Sequence, residues 1–220
     1  MPRFPDPAAL PDGESLCAVG GDLEPETLLE AYAAGIFPWP RERPPLLWHS
    51  PDPRGVLDFG DLRVPRSLRQ EIKKSGFTFT ADRAFARVIK ACAAARGPGR
   101  HGTWITPAMV RAYVRWHELG HAHSVECWSG GTLVGGLYGV YVGGVFSGES
   151  MFHEASGASK ACIAETVRRL AAQGLTWMDI QMVTPVTGLM GGKEIPRRGY
   201  LARLKAARVS GLPERLDFAA

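Results

Sequence analysis

The spacing of hydrophobic residues changes along the chain, and each change predicts a different secondary-structure element. Helical spacing predicts four helices in the first half, over residues 25–34, 65–75, 84–95 and 106–120. Thr106 and Pro107 form an N-cap and first-turn pair for the last of these, while Gly35, Gly76 and Gly120 supply helix ends. The first sixty residues otherwise predict turns and short strands rich in Pro, Gly and Trp.

From His121 onwards the spacing changes to the alternation that is typical of strands. Residues 123–128 alternate, Gly130 and Gly131 predict a hairpin turn, and strand composition continues as far as Glu149. A long helix over 156–173, a strand over 175–183 and a helix near 200–208 follow, without an internal repeat. This order of elements predicts an α+β or mixed α/β protein.

Composition adds a size class and a mild charge. The 220 residues are 45% hydrophobic and 22% charged, which predicts one globular domain, or one domain with a small appendage. The net charge of +4 leaves contact with a nucleic acid open. Four cysteines without a CxxC pair predict reduced thiols, and neither a signal peptide nor a membrane span is evident, so we expect a cytoplasmic protein.

One motif suggests a zinc protease. His117, Glu118 and His121 match HExxH, in which two histidines one helical turn apart bind zinc and the glutamate activates a water. Gly120 lies where the helical spacing stops, so His121 is predicted to lie beyond the helix. We therefore expect no metal here, and His117 would instead lie favourably at a helix C-terminus.

Two short segments combine carboxylates with large apolar residues. In FSGESMF, Glu149 stands among Phe146 and Met151, which is typical of a cationic ligand beside an apolar pocket and equally of a solvated strand residue. In WMDIQ, Asp179 and Gln181 are two apart and share one face of a strand, so they must find polar partners or bind a ligand. The pattern alone does not choose between these interpretations.

Several tryptophans lie in or near predicted turns, namely Trp39, Trp48 and Trp104. Trp48 and Trp104 have polar neighbours, and loop tryptophans of this kind stack on nucleobases. Tryptophans fill protein cores more often than they stack on nucleobases.

Several segments taken together resemble the leucyl/phenylalanyl-tRNA–protein transferases. They run in order from about Gly20 to Tyr200, and the most specific are HELGHAHSVE, GGLYGV and GESMF. The others are GGDLEPETLLEAYAAGIFPW, WHSPDPRGVL, GTWIT, ASK and EIPRRGYL. The resemblance implies transfer of Leu, Phe and less readily Met from aminoacyl-tRNA to proteins with N-terminal Arg or Lys, which marks those proteins for N-end rule degradation.

The resemblance also implies an architecture. We expect a small N-terminal α+β domain over residues 1–60 and a GNAT-like acyltransferase domain over 61–220, which together act as a monomer. Neither a metal nor an organic cofactor is expected, because the activated ester arrives with the tRNA. Basic residues are expected to contact tRNA phosphates, namely Arg66, Arg69, Lys73, Lys74, Arg83, Arg87, Arg96 and Arg100.

The matched positions then carry implied roles. Trp48 and Trp104 would hold the 3′-terminal adenosine, and Asp179 would act with Gln181 on the acceptor α-amine, more by positioning than as a strong base. Glu149 would lie near that amine or orient the aminoacyl end. The pocket for the amino-acid side chain would be lined by Leu137, Phe146, Met151, Ile163 and Met178.

The segment after WMDIQ departs from the family pattern. Val186 stands where a histidine is common, and Thr184 stands where an asparagine is found in some members. Altered acceptor specificity therefore stays open. A GNAT-like acyltransferase with another acyl donor, such as acyl-CoA, is the main alternative, although residues 150–159 lack the glycine-rich loop that binds a pyrophosphate.

Overall fold

A small sheet and one helix form the N-terminal part of the chain. The computed structural model describes residues 4–39, 45–95 and 104–218. The sheet has the strand order β1-β3-β2, and its elements are β1 (Leu16–Val19), α1 (Pro25–Ala33), β2 (Phe37–Pro38) and β3 (Leu47–His49). Trp48 on β3 anchors this part, because it is buried against Phe4, with ring centroids 4.8 Å apart.

A larger sheet of seven strands carries most of the chain, in the order β10-β4-β9-β8-β7-β6-β5. Its strands are β4 (Arg54–Asp58), β5 (Thr78–Ala81), β6 (Ala122–Ser129), β7 (Thr132–Val142), β8 (Val145–His153), β9 (Trp177–Gln181) and β10 (Lys193–Ile195). Neighbours are antiparallel except β8 and β9, which are parallel and pair at Ser147 and Asp179. This parallel pair is possible because a helix connects the two strands.

Helices cover both faces of the large sheet. They are α2 (Arg66–Ser75), α3 (Phe85–Ala94), α4 (Pro107–Glu118), α5 (Ala158–Ala172), α6 (Pro185–Leu189) and α7 (Arg197–Ala207). Alternate residues of β7 point to opposite sides, so that Tyr138 joins the core formed with α1, α3 and α4, whereas Leu137 joins the core formed with α5. No helix among the described residues combines the length and apolar character that a membrane span requires.

The predicted α+β class is confirmed, as are the helix ends predicted from caps. The Thr106 hydroxyl accepts a hydrogen bond from the Met109 N–H at 3.3 Å, α4 ends at Glu118, and Gly120 has a φ of 81°. The spacing did not predict α6 or β10. It also gave no reason to separate β4 from the irregular N-terminal residues, yet β4 lies inside the large sheet, so the boundary that we propose for the small domain lies before Arg54.

Candidate active site

Glu149 lies at an irregularity in β8. Tyr138 faces Ser150 and Gly139 faces Gly148, so Glu149 has no residue opposite it on β7 and forms a β-bulge. Its Oε1 accepts hydrogen bonds from the Tyr32 hydroxyl at 2.8 Å and from the Gln181 side-chain amide at 2.9 Å. Its Oε2 is buried and has no hydrogen-bond partner among the described residues. One carboxylate oxygen is thus fixed while the other stays free to accept.

The surroundings of Glu149 disfavour its charge. Burial raises the pKa of this carboxyl to about 8, and the nearby charge of Asp179 acts in the same direction. The hydrogen bonds from Tyr32 and Gln181, with the charge of Arg54, oppose that increase. A carboxyl whose pKa lies close to neutral pH is typical of a group that exchanges protons during a reaction.

Asp179 lies on β9, and both of its carboxylate oxygens accept hydrogen bonds from neighbouring side chains or backbone. Arg54 donates two hydrogen bonds to its two oxygens, at 2.8 and 2.7 Å. The Ser147 hydroxyl at 2.9 Å and the Gln181 N–H at 2.9 Å complete the set, with the Tyr200 hydroxyl at 3.3 Å. The Asp179 side chain is 0% exposed. The structure therefore gives this carboxylate no open oxygen for a substrate amine.

Arg54 pairs with Asp179 deep inside the protein. Its side chain is 1% exposed, and it packs between the rings of Phe37 and Tyr200. Burial acts to lower the pKa of the guanidinium, but the Asp179 charge outweighs it and holds that pKa above its usual range. The two side chains form a buried ion pair, and removal of one partner would leave the other buried without its counterpart.

Gln181 connects the two carboxylates. Its backbone has a φ of 53°, in the left-handed region that non-glycine residues rarely adopt. The bond from its N–H to Asp179 holds this conformation, and its side-chain amide then donates to Glu149. Strained backbone of this kind is concentrated at functional sites. Gln181 thus connects Asp179 to Glu149 by two hydrogen bonds.

The five residues predicted to line a pocket come together on the α5 side of the sheet. Leu137, Phe146, Ile163 and Met178 are buried in one cluster, and Met151 packs against it. The ring of Phe146 covers Gly139 so closely that a Cβ at that position would lie 2.5 Å from it. Glycine is therefore required at position 139 for this ring to keep its place.

Of the two tryptophans predicted to bind the adenosine, Trp104 stacks on Trp39, whereas Trp48 is buried. Trp48 is 1% exposed and its indole N–H donates to the Gly20 carbonyl at 2.8 Å, which leaves no ring face for a nucleobase. Trp104 is half-buried and stacks on Trp39, with centroids 5.4 Å apart and planes 20° apart. The two indoles thus form one platform. In the sequence, Trp39 lies between two prolines and lacks the polar neighbours that singled out Trp48 and Trp104.

The HExxH segment has a structural explanation. His121 lies beyond the end of α4, as predicted from Gly120. The Nδ1 of His117 is 2.7 Å from the Ala122 carbonyl oxygen, and its ring stacks on Phe85 at 4.4 Å. Within residues 4–39, 45–95 and 104–218, no three His, Cys, Asp or Glu side chains are placed to share a metal ion.

Tyr32, Tyr113 and Arg54 belong to the site but were not predicted. Tyr32 and Tyr113 occupy apolar positions of amphipathic helices, where a tyrosine normally indicates core packing. Arg54 stands in a turn-like SPDPRG segment, and nothing local distinguishes it from a solvated arginine. Their partners lie on distant segments, so the sequence carried no pairwise signal.

A buried carboxyl whose pKa is raised by burial, and which keeps one oxygen without a partner among the described residues, is a candidate for a functional group. A family model for the leucyl/phenylalanyl-tRNA protein transferase matches residues 56–205, and a model for the N-terminal domain of that protein matches residues 21–52. The chain therefore belongs to the leucyl/phenylalanyl-tRNA–protein transferase family, which confirms the resemblance found in its motifs.

Curated relatives agree. The leucyl/phenylalanyl-tRNA–protein transferase of Anaeromyxobacter sp. (strain K) is 54% identical over 207 residues, which cover 94% of this chain and 88% of that protein. Those of Nitratidesulfovibrio vulgaris (strain DP4) and Azoarcus sp. (strain BH72) are 51% and 50% identical, with 93% and 96% of this chain covered and 87% and 90% of theirs.

Solved structures are more distant. A GCN5-related N-acetyltransferase from Kribbella flavida has a TM-score of 0.40 at 15% identity, covering 75% of this chain and 58% of that chain. The C-terminal domain of a putative lysylphosphatidylglycerol synthetase from Agrobacterium fabrum has a TM-score of 0.42 at 12% identity, covering 73% and 52%. TM-scores of this size do not establish a shared fold, so the GNAT-like arrangement stays a prediction.

Proposed function

We propose that the protein transfers leucine or phenylalanine, and less readily methionine, from aminoacyl-tRNA to the N-terminal Arg or Lys of acceptor proteins. The product would be a substrate for N-end rule degradation. The observation that carries the proposal is Glu149, whose Oε2 is free to accept while its Oε1 is fixed by Tyr32 and Gln181. The family to which the chain belongs supplies the substrate classes.

The reaction needs an acceptor amine without its extra proton. The nitrogen forms a bond to the ester carbonyl carbon, and the bond from that carbon to the ribose oxygen breaks. One proton passes from the nitrogen to Glu149 Oε2 and then to the departing ribose oxygen. An α-amine has a pKa of about 8, and that of Glu149 is also about 8. Matched values allow the proton to move in both directions with little cost.

The family resemblance implies that the apolar cluster receives the side chain that is transferred; the cluster lies on the α5 side of the sheet, whereas Glu149 contacts Tyr32 on the other side. Leu137, Phe146 and Met178 with Met151 and Ile163 offer only hydrocarbon and thioether surface. Leu and Phe are unbranched at Cβ and fit a narrow slot, whereas Val and Ile are wider at its entrance. Discrimination by shape alone is modest, on the order of 1–3 kcal/mol per methylene.

Asp179 and Gln181 would position the catalytic carboxylate. Asp179 was expected to position the acceptor amine itself; since both of its oxygens are occupied, its proposed task is instead to position Glu149 through Gln181. An aminoacyl ester is already reactive, so orientation of the amine and the ester supplies much of the acceleration.

The platform of Trp39 and Trp104 would hold the 3′-terminal adenosine, in the role first expected for Trp48. We expect Trp39→Ala or Trp104→Ala to raise the KM for aminoacyl-tRNA by roughly 5- to 150-fold, because base stacking contributes about 1–3 kcal/mol. The measurement is initial transfer rate against aminoacyl-tRNA concentration. Phe59→Ala is the matched control, since Phe59 is also a half-buried aromatic residue but lies directly after β4, outside the platform. An unchanged KM in both platform variants would contradict the assignment.

The tRNA body would be bound by basic residues on α2 and around α3. Arg66, Arg69, Lys73 and Lys74 are exposed on α2, and Arg83 and Arg87 are exposed nearby, while Arg96 and Arg100 lie outside the described residues. Neutralising phosphates releases counterions, so we expect affinity for deacylated tRNA to fall steeply with salt. Replacing Lys73 and Lys74 with Gln should reduce the slope of log Kd against log salt by about 2 units. Equal slopes for both proteins would remove α2 from the interface.

The decisive experiment is label transfer. The protein is incubated with Leu-tRNA or Phe-tRNA carrying a radiolabelled amino acid and with peptides that begin with Arg, Lys, Asp or Glu. Label in the Arg and Lys peptides supports the proposal, and label in the acidic peptides would show altered acceptor specificity. Label that stays on the tRNA at saturating concentrations would contradict the proposal, and acetyl-CoA or a longer acyl-CoA with the same peptides then tests another donor.

A further inference from the structure

Helix α1 reaches the site through one hydroxyl. Tyr32 lies on α1, in the segment that matches the N-terminal family model, whereas Glu149 lies on β8. The Tyr32 hydroxyl donates to Glu149 Oε1 at 2.8 Å, and it lies 2.5 Å from the Tyr113 hydroxyl on α4. A phenol has one hydrogen to donate. Because the Tyr32 hydroxyl donates its one hydrogen to Glu149, the Tyr113 hydroxyl donates to the Tyr32 oxygen.

We propose that Tyr32 is a positioning residue for the transfer reaction, and that Tyr113 behind it completes a hydrogen-bond chain which holds Glu149 Oε1 and leaves Oε2 for the acceptor amine. The inference rests on the role proposed above for Glu149. It gives the N-terminal part of the chain a second role in the active site, in addition to the binding of the 3′-terminal adenosine proposed for Trp39.

The backbone geometry supports this assignment. The Gly35 carbonyl, at the end of α1, accepts a hydrogen bond from Arg54 Nη1 at 3.0 Å. A Cβ at Gly35 would lie 2.8 Å from the Tyr200 ring, so only glycine allows this approach. The same segment thus contacts both buried polar groups, Glu149 through Tyr32 and Arg54 through Gly35. Its position is fixed relative to the carboxylates from two sides.

Both phenols keep their hydrogens over the working pH range. Burial raises the pKa of Tyr32 and of Tyr113 well above the usual value, and the charge of Glu149 acts in the same direction. The phenol hydrogens that donation toward Glu149 requires are therefore present over this range. Such donation favours the ionised carboxylate over the neutral acid. The other groups facing Glu149 are Tyr138 on β7, Arg54 on β4, Asp179 and Gln181 on β9, and Tyr200 on α7.

The test is the pH dependence of single-turnover transfer for Tyr32→Phe, Tyr113→Phe and Tyr138→Phe, with one peptide and saturating Phe-tRNA. The peptide titrates alike in every variant, so a difference between variants reports the enzyme. Loss of the Tyr32 bond removes a donor that lowers the pKa of Glu149. We expect the midpoint of the rising limb to move up by about 1 pH unit in Tyr32→Phe and less in Tyr113→Phe, from a hydrogen bond to a charged group.

Tyr138→Phe is the matched control. Its hydroxyl is buried near Glu149 but has no hydrogen-bond partner in the described residues, so its removal breaks no bond. We expect an unshifted profile. If Tyr32→Phe lowers the rate by the same factor at every pH, Tyr32 only packs and the proposal is overturned. A shift in Tyr138→Phe equal to that in Tyr32→Phe would overturn it as well.

A second measurement separates this proposal from the proposed function. The titration of Glu149 is followed by carbon NMR of glutamate-labelled protein without substrates, and Glu149→Gln identifies its signal. An upward pKa change in Tyr32→Phe supports the chain independently of activity. If that change occurs while the transfer profile stays in place, the chain exists but Glu149 is not the proton acceptor. An unchanged titration contradicts the chain itself.

Discussion

Replacing Glu149 with Gln is expected to lower the rate of transfer at saturating aminoacyl-tRNA by roughly 10²- to 10⁴-fold, the contribution typical of a general acid–base group. Glutamine keeps the volume of the side chain and an oxygen that accepts from Tyr32 and Gln181. It cannot take a proton from the attacking amine. The KM for aminoacyl-tRNA is expected to change by no more than about twofold, because only a group used in the transition state is lost. Single-turnover transfer and equilibrium binding of Phe-tRNA measure the two quantities.

The matched control is Glu118→Gln, which removes an exposed carboxylate at the end of α4 and should leave both quantities unchanged. Stability provides an independent check on folding. Burial raises the pKa of Glu149 from 4.5 to about 8, so its protonation stabilises the fold below pH 4.5, and that contribution is lost as pH rises through 8. The urea midpoint of Glu149→Gln minus that of wild type should therefore be more positive at pH 9 than at pH 5. A variant that is folded and fully active would refute the role of Glu149.

Asp179→Asn is expected to lower the free energy of unfolding by about 3–5 kcal/mol, the cost of leaving one partner of a buried ion pair alone. The substitution keeps the shape of the side chain but leaves the Arg54 guanidinium buried without its counter-charge. Transfer should fall by at least about 10²-fold, since Gln181 loses the anchor that holds its backbone and positions Glu149. Urea unfolding and single-turnover transfer measure these effects, and the affinity of the folded fraction for aminoacyl-tRNA should remain close to wild type.

Two comparisons separate charge from packing. The double variant Arg54→Met with Asp179→Leu removes both charges, and most of the stability should return while transfer stays low. Glu24→Gln breaks the surface ion pair between Glu24, which is 58% exposed, and Arg115, which is 60% exposed. It should lower the free energy of unfolding by less than about 1 kcal/mol. If Asp179→Asn were as mild as Glu24→Gln, the buried pair would not be the anchor described above. If the double variant regained full transfer, the positioning role would be lost.

Local chemistry made much of the fold predictable. Thr106 and Pro107 begin α4, and the glycine after its last turn ends it, because caps and left-handed residues act within a few positions of sequence. Alternation along residues 123–128, with the strand composition that continues as far as Glu149, predicted strands for the same reason. The structure added β4 to the large sheet and formed α6 with a capping box between Thr184 and Thr187. The joining of β4 to β9 depends on long-range pairing, which no local pattern encodes.

The sequence by itself determined the family, the α+β class, and the residue types of the site, because those follow from ordered motifs and from local periodicity. It also placed Glu149, Asp179 and Gln181 on strands. Only the tertiary structure decided which of the three is free to act. Asp179 is enclosed by Arg54, which lies 125 residues away in sequence, and Glu149 is held by Tyr32, which lies 117 residues away. Burial and partners set a carboxyl's availability, and both are properties of the folded chain.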